Sequence, residues 1–153
     1  MMDDFIAIDF ETRDDGTPWQ LGAAKFVGGT LVETKDWRFD GGALGDRPLP
    51  WLTEEVMAYL MGSTLVAHNI ACEKTLLTKA APITKWGPWQ DTLKIAKKRY
   101  PGLASYKLED LCKQFGIADR SVRVPDRTLE GRTWHDGLFD AIMCGLLYCC
   151  FEA

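Results

Sequence analysis

The stretch Phe5-Ile6-Ala7-Ile8-Asp9-Phe10-Glu11-Thr12 decides the fold, because an apolar run rich in strand-forming residues ends there on two acids. Side chains alternate along a strand, so Asp9 and Glu11 project to one side, and Ile8 and Phe10 project to the other. Two ionised carboxylates repel each other unless a cation lies between them, and Mg²⁺ or Mn²⁺ prefers such oxygen ligands. This stretch alone leaves open a metal site or a strand end that frays into a polar turn.

Outward from this strand, the sequence predicts an opening sheet followed by alternating helices and strands. Strands are predicted at residues 5–10, 21–26, 30–32 and 64–67, and helices at residues 53–60, 72–80, 91–99, 107–115 and 136–150. This order is typical of an α/β domain with a mixed sheet whose first three strands are antiparallel. Residues 118–134, rich in Arg, Asp, Pro and Gly, are predicted to form a mobile loop.

Length and composition limit the class of protein. A chain of 153 residues that is 46% hydrophobic fits one globular domain spanning residues 1–153. No apolar run reaches the length of a membrane span, and the five cysteines contain no Cys-x-x-Cys pair that would indicate zinc. We therefore expect a soluble, cytoplasmic protein without disulfides or a signal peptide.

Charge is distributed unevenly along the chain. The net charge is −4, yet the segment from Lys94 to Arg132 carries +5 and the remainder carries −9. An acidic region predicts a cation site, and a basic segment predicts contact with an anion. The alternative for Lys97-Lys98-Arg99 is the solvated face of a helix.

Two further motifs follow the first strand. An apolar strand runs into His68-Asn69, and the next helix carries Glu73 in its first turn. Later, His135 precedes a helix that carries Asp140 beside its predicted buried stripe of Leu138, Ile142, Gly145 and Tyr148. By themselves, Glu73 could offset the helix dipole, and His68-Asn69 could form a hydrogen-bonded turn.

Taken together, these motifs resemble the DEDDh (DnaQ-like) branch of the 3′-to-5′ exonucleases, which includes the proofreading epsilon subunit of DNA polymerase III, ribonuclease T and oligoribonuclease. The resemblance covers almost the whole chain, in order, through three pairs of residues: Asp9 and Glu11, His68-Asn69, and His135 with Asp140. Two departures are Glu73 in place of the family's Asp and Cys72 in place of its Phe. A third is a shorter segment between Phe39 and Thr53.

The resemblance implies a ribonuclease H-like fold with a mixed five-stranded sheet flanked by helices. It also implies two divalent cations, Mg²⁺ or Mn²⁺, which activate water and neutralise charge during phosphodiester hydrolysis. Asp9 would bridge both ions, Glu11 and Asp140 would complete the site that activates water, and Glu73 would hold the second ion. His135 would be the general base. We expect the neighbouring Asp136 to be a helix cap.

The predicted substrate is a single-stranded 3′ end of nucleic acid, with DNA favoured over RNA, and the products are nucleoside 5′-monophosphates. The residues expected to contact the substrate are Phe10, Thr12, His68, Asn69, Lys97 and Lys98. The basic segment would follow the phosphate backbone, and Trp19 or Tyr106 could stack on bases, although ordinary core packing is the preferred explanation of each aromatic. A protein partner in a larger complex would fit so short a chain.

Two other functions share features with this pattern. An aspartyl phosphatase needs Asp-x-Asp, whereas the second acid here is Glu11, so that function is rejected. The remaining alternative is a weakly active or inactive nuclease-fold adaptor that binds nucleic acid or a protein partner in replication, repair or DNA-end processing. Against it stands the electrostatic cost of clustered acids, which a binding module has no reason to tolerate.

Overall fold

A computed structural model of the chain describes residues 2–39, 51–117 and 131–153. Five strands and five helices lie within these ranges. The strands are β1 (Phe5–Thr12), β2 (Pro18–Val27), β3 (Thr30–Arg38), β4 (Leu65–Ala67) and β5 (Trp89–Asp91). The helices are α1 (Glu54–Leu60), α2 (Ala71–Ala80), α3 (Thr92–Arg99), α4 (Leu108–Gln114) and α5 (Gly137–Glu152).

The strands form one mixed sheet in the order β3-β2-β1-β4-β5, which confirms the predicted α/β fold. Strands β1, β2 and β3 are antiparallel neighbours, whereas β4 runs parallel to β1 and β5 runs parallel to β4. The carboxyl ends of β1, β4 and β5 therefore meet at one edge of the sheet. This is the edge where α/β sheets commonly bind ligands.

The positions of most predicted elements are confirmed, with differences at their ends. Thr53, the first residue of the predicted helix, caps α1 by accepting a hydrogen bond from the Val56 N–H at 3.3 Å. Strands β2 and β3 are both longer than predicted. The extra length of β3 was missed because it is a polar edge strand without an apolar alternation. Strand β5 was not predicted, because Trp89-Gln90-Asp91, unlike the equally short β4, is not an apolar run.

The sheet has a separate apolar core on each face, as the alternation along β1 requires. Phe5 and Ala7 lie on the face covered by α5, with α3 and α4 beside it. Ile6, Ile8 and Phe10 lie on the opposite face, under α1 and α2. Since Asp9 and Glu11 follow Ala7 at two-residue steps, their carboxylates come from the face that α5 covers.

Helix α5 is buried over more of its circumference than the predicted stripe. Leu138, Ile142 and Gly145 are buried as expected, but Tyr148 is only half-buried, and further buried side chains come from both sides of the stripe. The reason is that α5 packs on the sheet and also against α3 and α4. Such a helix is fixed over most of its length, which matters for the residues at its start.

Three other expectations concern the chain as a whole. The described residues include all five cysteines, and no disulfide joins any two of them. Among the described residues, no helix is long and apolar enough to cross a membrane. Most of the loop predicted at residues 118–134 lies outside the described residues, which resume at residue 131.

Candidate active site

Three carboxylates from distant parts of the sequence converge at the carboxyl end of the central strand. Asp9 and Glu11 come from the end of β1, and Asp140 comes from the first turn of α5. One oxygen from each lies within 4.8 Å of the other two. The sequence-predicted residues are therefore brought together across 131 positions of the chain, in an arrangement that could hold a metal ion.

The electrostatics of this cluster disfavour three ionised acids without a cation. Burial, the Glu73 charge and a hydrogen bond with Glu11 raise the pKa of Asp9 well above its usual value. Burial and the Glu11 charge raise the pKa of Asp140 to about 7, although the His135 backbone opposes the shift. Asp9 Oδ2 is fully buried and has no hydrogen-bond partner among the described residues. A buried oxygen of this kind needs a proton or a metal ion.

Glu73 approaches the cluster from the start of α2. Strand β4 ends at Ala67, whereas β1 continues to Thr12, so the Phe10 N–H is free to donate to Glu73 Oε1 at 3.5 Å. The Glu73 side chain is buried, and its Oε2 has no hydrogen-bond partner among the described residues. Burial raises its pKa to about 7, with further increases from Asp91 and Glu11.

These observations distinguish the two explanations of Glu73. A carboxylate that only offset the helix dipole would keep its charge in water, but Glu73 is 3% exposed. Its negative charge is also the largest charge effect on the pKa of Asp9, although Glu73 is not one of the three mutually close acids. Glu73 therefore adjoins Asp9. A second cation between them would bind the buried oxygens of Asp9 and Glu73 that lack hydrogen-bond partners among the described residues. The adjacent Cys72 is exposed as a residue, but partial desolvation of its thiol and the charges of these acids raise its pKa to about 11.

His135 lies in the turn just before α5 and is exposed to solvent. Its backbone N–H donates to both oxygens of the Asp140 carboxylate, at 3.3 Å and 3.2 Å. Its φ of +73° is unusual for a residue other than glycine. The turn therefore ties the candidate base to the carboxylate that helps to form the cluster.

The turn after β4 is organised by Asp91, which the sequence pattern placed only at the start of the helix predicted at residues 91–99. The Asp91 carboxylate accepts hydrogen bonds from Asn69 N–H at 2.8 Å and Ile70 N–H at 3.3 Å. It also accepts from Leu93 N–H at 2.9 Å. One carboxylate thus satisfies the amino ends of both α2 and α3. Asn69 itself has a φ of +64°, a conformation that asparagine tolerates better than most residues.

Both ring nitrogens of His68 are bonded to protein groups. The Tyr106 carbonyl, 2.7 Å away, can only accept, so Nε2 donates to it, and Nδ1 lies 2.8 Å from the Thr92 hydroxyl. Burial lowers the pKa of His68, and the Lys97 charge adds to that effect. These contacts agree with the hydrogen-bonded turn that His68-Asn69 was expected to be able to form.

The other predicted substrate residues occupy different environments. Phe10 is 5% exposed and its ring packs edge-on against Trp51 at 5.1 Å, whereas Thr12 is exposed. Lys97 and Lys98 are exposed on α3, and the Lys97 ammonium lies 5.9 Å from the centre of the Tyr106 ring. The nucleic-acid contacts of all six predicted residues, and stacking by Trp19 or Tyr106, stay predictions.

Asp136 caps α5, as expected, by accepting a hydrogen bond from the Phe139 N–H at 2.9 Å. It also belongs to a polar cluster with Gln20, Asp36 and Arg132 that the sequence did not predict. No local pattern could have identified this cluster, because its members come from β2, β3 and the start of α5.

Comparisons with known proteins place the fold. No protein-family model and no curated protein sequence matches the chain. Its structure is similar to that of "Exonuclease X in complex with 5′ overhanging duplex DNA", with a TM-score of 0.63 and 20% identity, covering 99% of this chain and 91% of that one. It is also similar to a chain of "yeast NOT1 MIF4G domain co-crystallized with CAF1", with a TM-score of 0.59 and 12% identity, covering 97% and 78% of the two chains.

At these identities the likeness establishes architecture and not activity. The match to the Exonuclease X structure extends over nearly all of both chains and agrees with the mixed sheet and its flanking helices. The chain therefore has a ribonuclease H-like α/β fold of the kind seen in that exonuclease.

Proposed function

We propose that this protein is a metal-dependent 3′-to-5′ exonuclease that hydrolyses phosphodiester bonds at single-stranded 3′ ends and releases nucleoside 5′-monophosphates. The observation that carries the proposal is the meeting of Asp9, Glu11 and Asp140 within 4.8 Å at the ligand-binding edge of the sheet. Glu73, buried beside them, supplies the fourth acid.

The acids fit two hard divalent cations, Mg²⁺ or Mn²⁺. All four donors are carboxylates, and buried oxygens of Asp9 and Glu73 have no hydrogen-bond partner among the described residues. Asp9, Glu11 and Asp140 would hold one ion, and Asp9 with Glu73 would hold the other. When bound, such a pair lowers the pKa of water and neutralises charge on a phosphodiester in hydrolysis.

The protein's own contribution is to orient the reacting groups. The His135 N–H fixes the direction of the Asp140 carboxylate, and the exposed His135 ring is free to take a proton from an attacking water. Imidazole is the side chain that most often serves as a general base near neutral pH.

The substrate class is inferred from charge and from the matched fold. Lys97 and Lys98 project from α3, and Lys97 lies beside the turn that follows β4. Their charges suit the phosphates of a single strand. One matched structure holds 5′ overhanging duplex DNA, which supports DNA over RNA as the substrate.

The test is a degradation assay with 3′-end-labelled and 5′-end-labelled single strands of DNA and RNA, in Mg²⁺, Mn²⁺ or chelator. We expect labelled 3′-terminal monophosphate to appear first, and only with metal. Asp140→Asn and Glu11→Gln should abolish this release, whereas Glu55→Gln, which alters an exposed acid on α1, should not change it. Cleavage of closed circular DNA, or full activity in chelator, would overturn the proposal. Binding of DNA without any cleavage would instead favour the adaptor.

A further inference from the structure

Five polar side chains meet beside the start of α5, on the side away from the acidic cluster. In the sheet, Gly22 lies between Asp9 on β1 and Asp36 on β3, so all three residues share one cross-strand row. The first turn of α5 crosses this row over Gly22. The five members of this cluster, which we call the brace, are Gln20, Asp36, Arg38, Arg132 and Asp136.

Arg132 is the centre of the brace. A single nitrogen, Nη1, lies 3.0 Å from Asp36 Oδ2 and 3.0 Å and 3.2 Å from the two oxygens of Asp136. The Arg132 side chain is 25% exposed, and each carboxylate is 18% exposed, so the contacts are partly shielded from water. Both carboxylates also accept from Gln20 Nε2, at 3.0 Å and 3.4 Å. Without Arg132, Arg38, whose Nη2 lies 3.3 Å from Asp36 Oδ2 and 3.2 Å from Asp136 Oδ2, would be the remaining cation of the brace to offset the repulsion between these two carboxylates.

The brace holds both ends of the turn that carries His135. At one end Arg132 is bound to β3 through Asp36, and at the other the Gly137 N–H donates to Gln20 Oε1 at 2.8 Å. Within the turn, the Asp136 N–H donates to the Thr133 carbonyl at 3.1 Å. His135 has a positive φ, a conformation that persists only where surrounding contacts enforce it.

We infer that Arg132 is a positioning residue, which binds Asp36 and Asp136 and so holds His135 and the Asp140 carboxylate in their working arrangement beside Asp9. This inference rests on the proposed nuclease function. Despite their partial burial, the pKa values of Asp36 and Asp136 lie below the usual range. Gln20 and Arg132 donate to Asp36, and the Phe139 N–H, Arg132 and Gln20 donate to Asp136. The ion pairs of the brace therefore remain formed at neutral pH.

A competing role for Arg132 is direct contact with a substrate phosphate, and Asp36→Asn distinguishes the two. Removing an acid from this surface cannot weaken phosphate binding, so the phosphate role predicts an unchanged or lower KM and unchanged kcat. The positioning role predicts a lower kcat for both Asp36→Asn and Arg132→Ala, with little change in KM. We expect losses of about 10- to 100-fold in kcat, as is usual for groups that do not touch the reacting atoms but orient the residues that do.

Three further variants sharpen the kinetic test. Arg132→Lys should recover most of the loss, because one nitrogen makes all the contacts. In a His135→Ala background, Arg132→Ala should lower kcat little further, since both substitutions affect the same step. Lys35→Ala is the matched control: it neighbours Asp36 on β3 but pairs with Glu55 on α1, and it should leave kcat unchanged.

A second measurement does not depend on activity. In the metal-free protein, the backbone amides of His135 and Asp136 should exchange faster with solvent in Arg132→Ala than in wild type or Lys35→Ala. The amide of Leu147, deep in α5, should be unaffected. Unchanged exchange at His135, or a raised KM with unchanged kcat, would overturn the positioning role. If the wild type shows no nuclease activity, the proposed function fails, and the exchange data still decide whether Arg132 holds the turn.

Discussion

Gly22 on β2 and Gly137 at the start of α5 meet backbone to backbone. A Cβ on Gly22 would overlap the carbonyl group of Gly137 and the nitrogen of Leu138. Gly22 also lies directly opposite Asp9 in the sheet, and Asp140 follows Gly137 by three residues. This close approach therefore sets the separation between the carboxylates of β1 and α5.

The first prediction is that Gly22→Ala displaces the start of α5 and weakens the acidic cluster. The backbone of Gly137 cannot rotate away as a side chain could, so we expect a loss of about 1 to 3 kcal/mol in the free energy of unfolding. Affinity for Mn²⁺, followed by calorimetry, should fall as well.

The control for this prediction is Gly145→Ala on the same helix. Its new methyl group would meet the Phe26 ring and not backbone, and it lies beyond Asp140 along α5. We expect Gly145→Ala to lower stability while leaving Mn²⁺ affinity near that of wild type. Equal metal affinity in Gly22→Ala and wild type would show that the glycine contact does not set the site.

The second prediction concerns the charge of Glu73. In chelator at pH 8, Glu73→Gln should raise the melting temperature, because it removes a buried charge that repels Asp9. The helix-dipole explanation predicts the opposite, a loss of about 0.3 to 1 kcal/mol. Thermal melts of the metal-free proteins distinguish the two signs.

The third prediction concerns the length of the Glu73 side chain in turnover. Glu73→Asp should stay within about tenfold of wild type, whereas Glu73→Ala should lose about 100-fold and need more metal. Turnover measured against Mg²⁺ concentration tests both. A fully active but less stable Glu73→Ala would exclude Glu73 from metal binding.

The fourth prediction is a pH dependence of stability in the metal-free protein. Asp9, Glu73 and Asp140 have folded-state pKa values above those of ordinary carboxyls, so the folded state binds more protons than the unfolded state. Their stabilisation is complete below about pH 4. For Glu73 and Asp140 it is lost as the pH rises through about 7, and the raised pKa of Asp9 adds to the loss. Urea unfolding in chelator from pH 4 to 8 should show this decline, and Mg²⁺ should reduce it. The control is the triple variant Asp9→Asn, Glu73→Gln, Asp140→Asn, whose stability should decline less over the same range.

The fifth prediction addresses the basic surface of α3. Lys97→Glu and Lys98→Glu should weaken single-strand binding and flatten its salt dependence, since removing one phosphate contact reduces the slope of log affinity against log salt by about 0.7. Lys25→Glu is the control, because this exposed lysine pairs with Ile6 at the opposite end of β1. A salt slope equal to that of wild type would mean that Lys97 and Lys98 make no phosphate contact and only form the solvated face of a helix.

The sequence by itself determined the central strand and the identity of the acids. Alternation along Phe5–Thr12 places Asp9 and Glu11 on one face, and this depends only on the geometry of a strand. The helix cap expected at Asp136 likewise follows from local sequence, because a cap contacts residues two or three positions away.

Only the tertiary structure decided which distant residues share an environment. The burial of Glu73, the bonding of both His68 nitrogens and the bridge from Arg132 to Asp36 join groups separated by 24 to 96 positions. Nothing in a local pattern encodes such pairs, because they depend on how α2 and α5 pack on the sheet. The backbone contact of Gly22 with Gly137 shows the reason: the packing distance between helix and strand sets the site, and that distance exists only in the folded chain.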